Sequence, residues 1–281
     1  MNNETKFNLK PTLLLLLLII TFTVNAQDKR RVFALKQGDE FQREILTNSR
    51  SAIQRGAQTL NVNAVSALTK SYVVTAATTS GNKMDVRIKK MDNVIDALGQ
   101  QLHYNSEDKR DSTSLIKRGL EFMVNKPSEV TVDKYGVILS SKTYKAEFAT
   151  DTLVAFAGIE PEIFEQGTLL GLFADLTYSP SMKKGFTWTD SVTINSQQLN
   201  TKFWIEDVNE KSTIVKFSTK IETKMMNTNS NGTYIVDNTN GLIVEKLIYT
   251  ISTGYQISTG KVIYAVSRST SLSERIRKVS K

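Results

Sequence analysis

Along most of the chain apolar and polar residues alternate one for one. Met84, Val86 and Ile88 take one parity and Asp85, Arg87 and Lys89 the other, while Val215, Phe217, Thr219 and Ile221 alternate with Lys216, Ser218, Lys220 and Glu222. A period of two puts successive side chains on opposite sides of an extended chain, so these runs predict half-buried strands. Comparable runs cover Phe41 to Thr47, Ser71 to Thr79, Thr201 to Val208, Leu242 to Ile251 and Lys261 to Arg268. Gly81-Asn82, Asn209-Glu210-Lys211 and Asn238-Thr239-Asn240-Gly241 supply turns between them, and strands joined so briefly are expected to be antiparallel. The expected fold is mainly β with a few helices. It is a large curved antiparallel sheet or open half-barrel, in two pseudo-repeated halves, with helices packed on its concave face.

The period changes between Glu147 and Leu176, where Leu169, Leu172, Phe173 and Leu176 recur three or four apart. This spacing predicts two short helices parted near Gly158, the second started by Pro161 with Glu162 and Glu165 near its positive end. A further short helix is expected over Ser112 to Arg118. The chain also repeats itself: Val130 to Leu139 and Tyr234 to Val244 both read strand, Asp, two or three turn residues, Gly, strand. An internal duplication and independent convergence on one hairpin chemistry explain this equally well. The expected layout is a β half over 27–146, a helical insert over 147–178, a second β half over 179–270 and a basic tail over 271–281.

Lys6 and Lys10, the apolar run Leu13 to Val24, and the small residues ending at Ala26 read as a secretory signal peptide over residues 1–26. The run is short for a membrane span, and Gln27-Asp28-Lys29-Arg30-Arg31 does not continue it. Export to the periplasm, the outer-membrane periphery or the outside is therefore expected. With no cysteine, disulfides, thiolate metal sites and a lipidated N-terminal Cys are all excluded. Without residues 1–26 there remain 34 basic and 27 acidic residues, a net charge of +7. Much of the excess lies in Lys29-Arg30-Arg31 and in Arg275 to Lys281, which read as solvated tails, with binding of anionic lipid or polysaccharide as the alternative. Nucleic acid is not an expected partner.

The order of Leu35-Lys36-Gln37-Gly38-Asp39, the Val130 to Leu139 hairpin, the 147–176 stretch and Ser179-Pro180-Ser181-Met182-Lys183-Lys184-Gly185-Phe186-Thr187-Trp188 resembles a family of exported proteins common in Bacteroidota, a domain of unknown function. The likeness spans nearly all of the chain after residue 26 and departs at Gly185-Phe186, where members often have Gly-Asp. It implies an architecture and an envelope location, and no catalytic residues. More remotely, two antiparallel sheets around helices look like the half-barrel of periplasmic lipoprotein carriers, which hold acyl chains in an apolar concavity.

Candidate chemistry is sparse. His103 is the only histidine, and no G-x-S-x-G elbow presents a nucleophile. Glu160 with Glu162 and Glu206 with Asp207 are close in sequence but read as solvated charge. Asn227 to Gly232 and Asp237 to Gly241 are oxygen-rich, match no calcium loop and read as turns, as does the Asn231-Gly232-Thr233 glycosylation pattern. Asp111-Ser112-Thr113, Asp151-Thr152-Leu153 and Asp190-Ser191-Val192 fit an O-glycosylation pattern at Ser112, Thr152 and Ser191, and the first two also fit a helix cap. Trp188 and Trp204 carry rings able to stack on a ligand. The function expected is non-catalytic binding of an apolar ligand or lipid in the concavity, lined by Phe156, Phe164, Leu169, Leu172, Phe173, Trp188 and Trp204, with no cofactor or metal. The alternatives are a module that binds envelope proteins or glycans, and a carboxylate-based hydrolase.

Overall fold

In a computed structural model the alternating runs become one open antiparallel sheet of twelve strands that does not close into a barrel. The structure describes residues 30–108, 115–143, 157–159, 162–174, 176, 182–194, 197–257 and 263–279. In chain order the strands of the first half are β1 (Glu40–Arg55), β2 (Gln58–Ala77), β3 (Asn82–Ala97), β4 (Gln100–Asn105), β5 (Ser128–Val132) and β6 (Ile138–Lys142). Those of the second are β7 (Thr187–Ile194), β8 (Gln197–Val208), β9 (Ser212–Glu222), β10 (Met226–Asp237), β11 (Ile243–Ile257) and β12 (Ile263–Val279). Across the sheet the order is β6-β5-β3-β2-β1-β12-β11-β10-β9-β8-β7, with β4 also on β3. The first and last strands thus form the central seam, and each half winds outward from it.

Residues 271–279, expected as a basic tail, form the second half of β12, paired with β1 from Glu40↔Val279 onward and with β11. The strand is real because Leu272, Glu274 and Ile276 alternate with Ser273, Arg275 and Arg277, putting the surplus arginines on one face only. Asn227 to Gly232, expected as a turn, lies inside β10. Its asparagines take one parity, while Thr228 and Ser230 bond across to Ser252 and Thr250 at 2.9 Å each.

The helix expected near Ser112 is observed as α1 (Leu115–Met123). Its Leu120 is buried among Ile45, Leu68, Met91 and Ile95 on the inner face of β1 to β3. The second helix of the insert does not form: 162–174 is a strap of turns and isolated bridges. The first lies outside the described residues apart from 157–159, of which Ala157 and Ile159 pack with α1.

The strap is irregular because its backbone bonds are made to the two echoed hairpins. Gly167 N donates to Ile138 O and Ile138 N to Thr168 O, on the outer edge of β6; Leu170 N donates to Gly136 O. Further on, Ala174 N donates to Gly241 O and Ile243 N to Leu172 O. The hairpins themselves match. Asp133 Oδ1 accepts from the amides of Tyr135 and Val137, Asp237 Oδ1 accepts from that of Thr239, and Gly136 and Gly241 share a φ of 76° that an L side chain resists. Phe33 lies against both glycines and stacks on Phe173 of the strap at 4.4 Å. One apolar cluster, including Phe33, Phe41, Leu170, Leu172, Phe173, Val236 and Ile276, therefore ties the two halves together.

Candidate functional site

The inner face, the one carrying this core, is closed by ionic chemistry. Register places Arg43 beside Lys70 and opposite Ile276, and Glu274 between Ile45 and Lys246. Glu162 descends from the strap into this group. Its Oε1 accepts from Arg43 Nη1 at 2.9 Å, and its Oε2 accepts from Lys70 Nζ at 3.1 Å and the Tyr72 hydroxyl at 2.6 Å. Arg43 Nη2 donates to Glu274 Oε1 at 2.5 Å. Burial pushes the Glu162 carboxyl up, but the charges of Lys70 and Arg43 and the bond from Tyr72 outweigh it and hold it at about 2. Burial pulls the Lys246 ammonium down. A cavity of about 210 Å³ remains beside the network, walled by Ile45, Leu68, Ile248 and Leu272, which is small for a ligand pocket.

Away from that network the inner face of the second half is largely polar. Thr201 and Thr219, Ser230 and Thr250, and Thr228 and Ser252 form hydroxyl pairs at 2.7, 2.9 and 2.9 Å. Nearer the strap a ring row remains: Trp188 stacks on Phe203 at 5.2 Å, and Phe203 and Phe217 meet Tyr234 at 6.5 and 6.2 Å.

The candidate ligand residues are thus dispersed. Leu172 and Phe173 are core, and Phe164 and Leu169 are half-buried against it. Trp188 is on the inner face and Trp204, paired with Lys216, on the outer. Phe156, Ser112 and Thr152 lie outside the described residues. Ser191 is exposed and donates to Asn200 Oδ1 at 2.6 Å. His103 Nε2 is 3.1 Å from Asp92 Oδ1 on the surface, and Glu206 pairs with Lys216 at 3.2 Å. Among the described residues no three His, Asp or Glu side chains converge as metal ligands, and no helix is long and apolar enough to cross a membrane.

The outer face holds a groove of about 600 Å³ that crosses six strands, from Trp204 on β8 to Leu46 and Asn48 on β1. Its floor includes Ser271 and Ser273 of β12, whose outer parity continues beyond the groove in Ser269 and Ser267. One wall is β11, where Leu247 and Tyr249 are 58 and 49% exposed, and the same outer parity continues beyond the groove in Ile251 and Tyr255, 41 and 56% exposed. This ladder was the feature missed in the sequence. The strand itself alternates, Leu247, Tyr249 and Ile251 against Lys246, Thr250 and Ser252, and reads as an ordinary half-buried strand; that its apolar parity is the outward one is set by register with β10 and β12.

No family model matches the chain, and no curated protein does. Among solved structures it is similar to a lipovitellin structure described by its lipid–protein interactions, at 10% identity and a TM-score of 0.49, covering 88% of this chain. The chain spans about a quarter of that one, 26%. It is also similar to an outer-membrane channel from Pseudomonas putida F1, at 5% identity and a TM-score of 0.27, over 88% of this chain and 98% of the channel. A third is MucB in complex with periplasmic MucA, at 7% identity and a TM-score of 0.13, over 85% of this chain and 89% of that one.

Proposed function

We propose that this is a non-catalytic envelope protein, exported by the signal sequence read in residues 1–26, that binds an acyl-bearing ligand in the outer groove. The supporting observation is the exposed pair Leu247 and Tyr249 in the wall of a groove of ligand size, which Ile251 and Tyr255 extend as an exposed apolar ladder along β11. Small serines on the neighbouring strand leave room for a chain to lie beside them, and Leu46 and Trp204 extend the apolar lining. Covering apolar surface stabilises by about 25 cal/mol per Å², so a hydrocarbon chain gains along the whole wall. The inner face is a weaker candidate, because it is covered by the chain's own strap and α1.

The test is titration of the purified protein with a fluorescent acyl probe, with native mass spectrometry of protein from its own host. Tyr249→Asp with Leu247→Ser is expected to weaken probe binding at least tenfold without lowering the melting temperature. Absence of uptake by the unaltered protein, or uptake indifferent to these substitutions, overturns the proposal; a protein partner in place of lipid on this face would assign it to envelope assembly.

A further inference from the structure

We infer that the ligand's head is a single negative charge, and that Arg50 receives it: the groove takes a single-chain acyl carboxylate. This rests on the acyl-binding reading above and adds the polar end of the ligand.

The argument is one of charge placement. Most cations around the groove face a carboxylate. Arg275 pairs with Glu245 at 3.4 Å, Arg277 with Glu44 at 3.2 Å, and Lys216 with Glu206 at 3.2 Å. Arg50 differs. It points outward from β1, opposite Ser269 on β12 and Asn63 on β2. Its neighbours along β1 on the same face are Asn48 and Ala52, and its diagonal neighbours are Ser267, Ser271, Asn61 and Val65. None of these is acidic, and among the described residues no carboxylate pairs with it. An exposed guanidinium with no counter-charge keeps its full field, and it stands one row beyond the groove's Asn48, Ser271 and Tyr249.

The geometry of the sheet sets the distances. Ile251, Ser269 and Arg50 lie directly across from one another on β11, β12 and β1, so neighbouring Cβ atoms are about 4.5–5.5 Å apart. Tyr249, Ser271 and Asn48 form the next row, and Leu247, Ser273 and Leu46 the one after. A chain whose head lies at Arg50 therefore runs past Ile251 and Tyr249 toward Leu247, Leu46 and Trp204. The guanidinium fork can donate two parallel N–H···O bonds to a carboxylate, and the hydroxyls of Ser269 and Ser271 and the amides of Asn48 and Asn63 are neighbouring donors on the same face. A carboxylate, at one charge, is neutralised by one Arg, whereas a phosphate monoester carries ~1.5 to 2 charges and would leave a remainder.

The experiment displaces the fluorescent acyl probe from the full chain, at low ionic strength because exposed pairs are screened by salt. The competitors are dodecanoate, dodecyl phosphate, dodecanol and dodecyltrimethylammonium. Dodecanoate is expected to bind about two- to fivefold tighter than the alcohol, the cation and the phosphate, the range of an exposed ion pair. Arg50→Gln should bring dodecanoate to the level of the alcohol and leave the alcohol unchanged, while Lys202→Gln, on the same face but three strands beyond the ladder, should change neither. If the alcohol matches the acid, if the phosphate binds best, or if the preference survives Arg50→Gln or disappears with Lys202→Gln, the carboxylate assignment falls and the acyl groove stands. If none of the four competes and the probe itself does not bind, the acyl reading has failed first.

Discussion

Glu162 joins a strap to a sheet through three donors on two strands, and its charge state therefore carries a pH dependence of definite sign. Its folded-state carboxyl titrates at about 2, against 4.5 for an ordinary Glu. The unfolded chain takes up this proton first, so the stabilisation is complete above the ordinary range and is lost as pH falls from about 4.5 toward 2. Removing one partner of a buried ion pair costs roughly 3–5 kcal/mol. Glu162→Gln is expected to lower stability in urea at pH 7 by about 3 kcal/mol, and the gap from the unaltered protein should narrow markedly at pH 3. Other acids titrate alike in both proteins and cancel in the difference. A gap that stays constant between the two pH values would mean that Glu162 is not held charged by Arg43 and Lys70.

At the scale of elements, the strap explains what spacing does and does not reveal. Leu169, Leu172 and Phe173 are indeed spaced as on a helix face, and two of the three are buried. Helix formation requires each amide to bond four residues back. Here the amides of Gly167, Leu170 and Ala174 bond instead to β6 and to the two hairpin turns, partners that no local pattern displays. The strands were legible because alternation is local. The inner ion network was not, because Arg43 and Glu274 lie 231 residues apart in sequence. The outer groove was half legible: β11 shows one apolar parity, but that this parity faces outward depends on its register with β10 and β12. The strap's importance can be measured directly. Phe173→Ala removes a ring stacked on Phe33 and edge-on to Phe41 at 5.7 Å, and should cost about 3–5 kcal/mol in denaturant unfolding. A cost under about 1 kcal/mol, the range of surface changes, would show the strap to be an ornament on an independently stable sheet.

For the whole molecule the decisive feature is that the first and last strands meet at the centre. Fifteen residue pairs join β1 to β12, and the two halves otherwise touch mainly through the hairpin turns, Phe33 and the strap. A sheet assembled this way depends on its final strand, since neither β1 nor β11 completes its ladder until β12 is in place. The chain's end also carries the charge surplus that, taken alone, looks like a solvated tail, and the two descriptions predict different experiments. Deleting residues 270–281 removes Glu274 from the ion network and Ile276 from the core, and leaves the N-terminal halves of β1 and β11 as bare edges. Loss of the cooperative unfolding transition by circular dichroism, with aggregation, is expected. Replacing Arg275 and Arg277 by Ser keeps the strand and removes exposed ion pairs to Glu245 and Glu44, each worth about 1 kcal/mol or less, so the fold should persist with a modestly lower midpoint. If the truncated chain unfolded as cooperatively as the full one, the seam would not be what holds the two halves in one sheet.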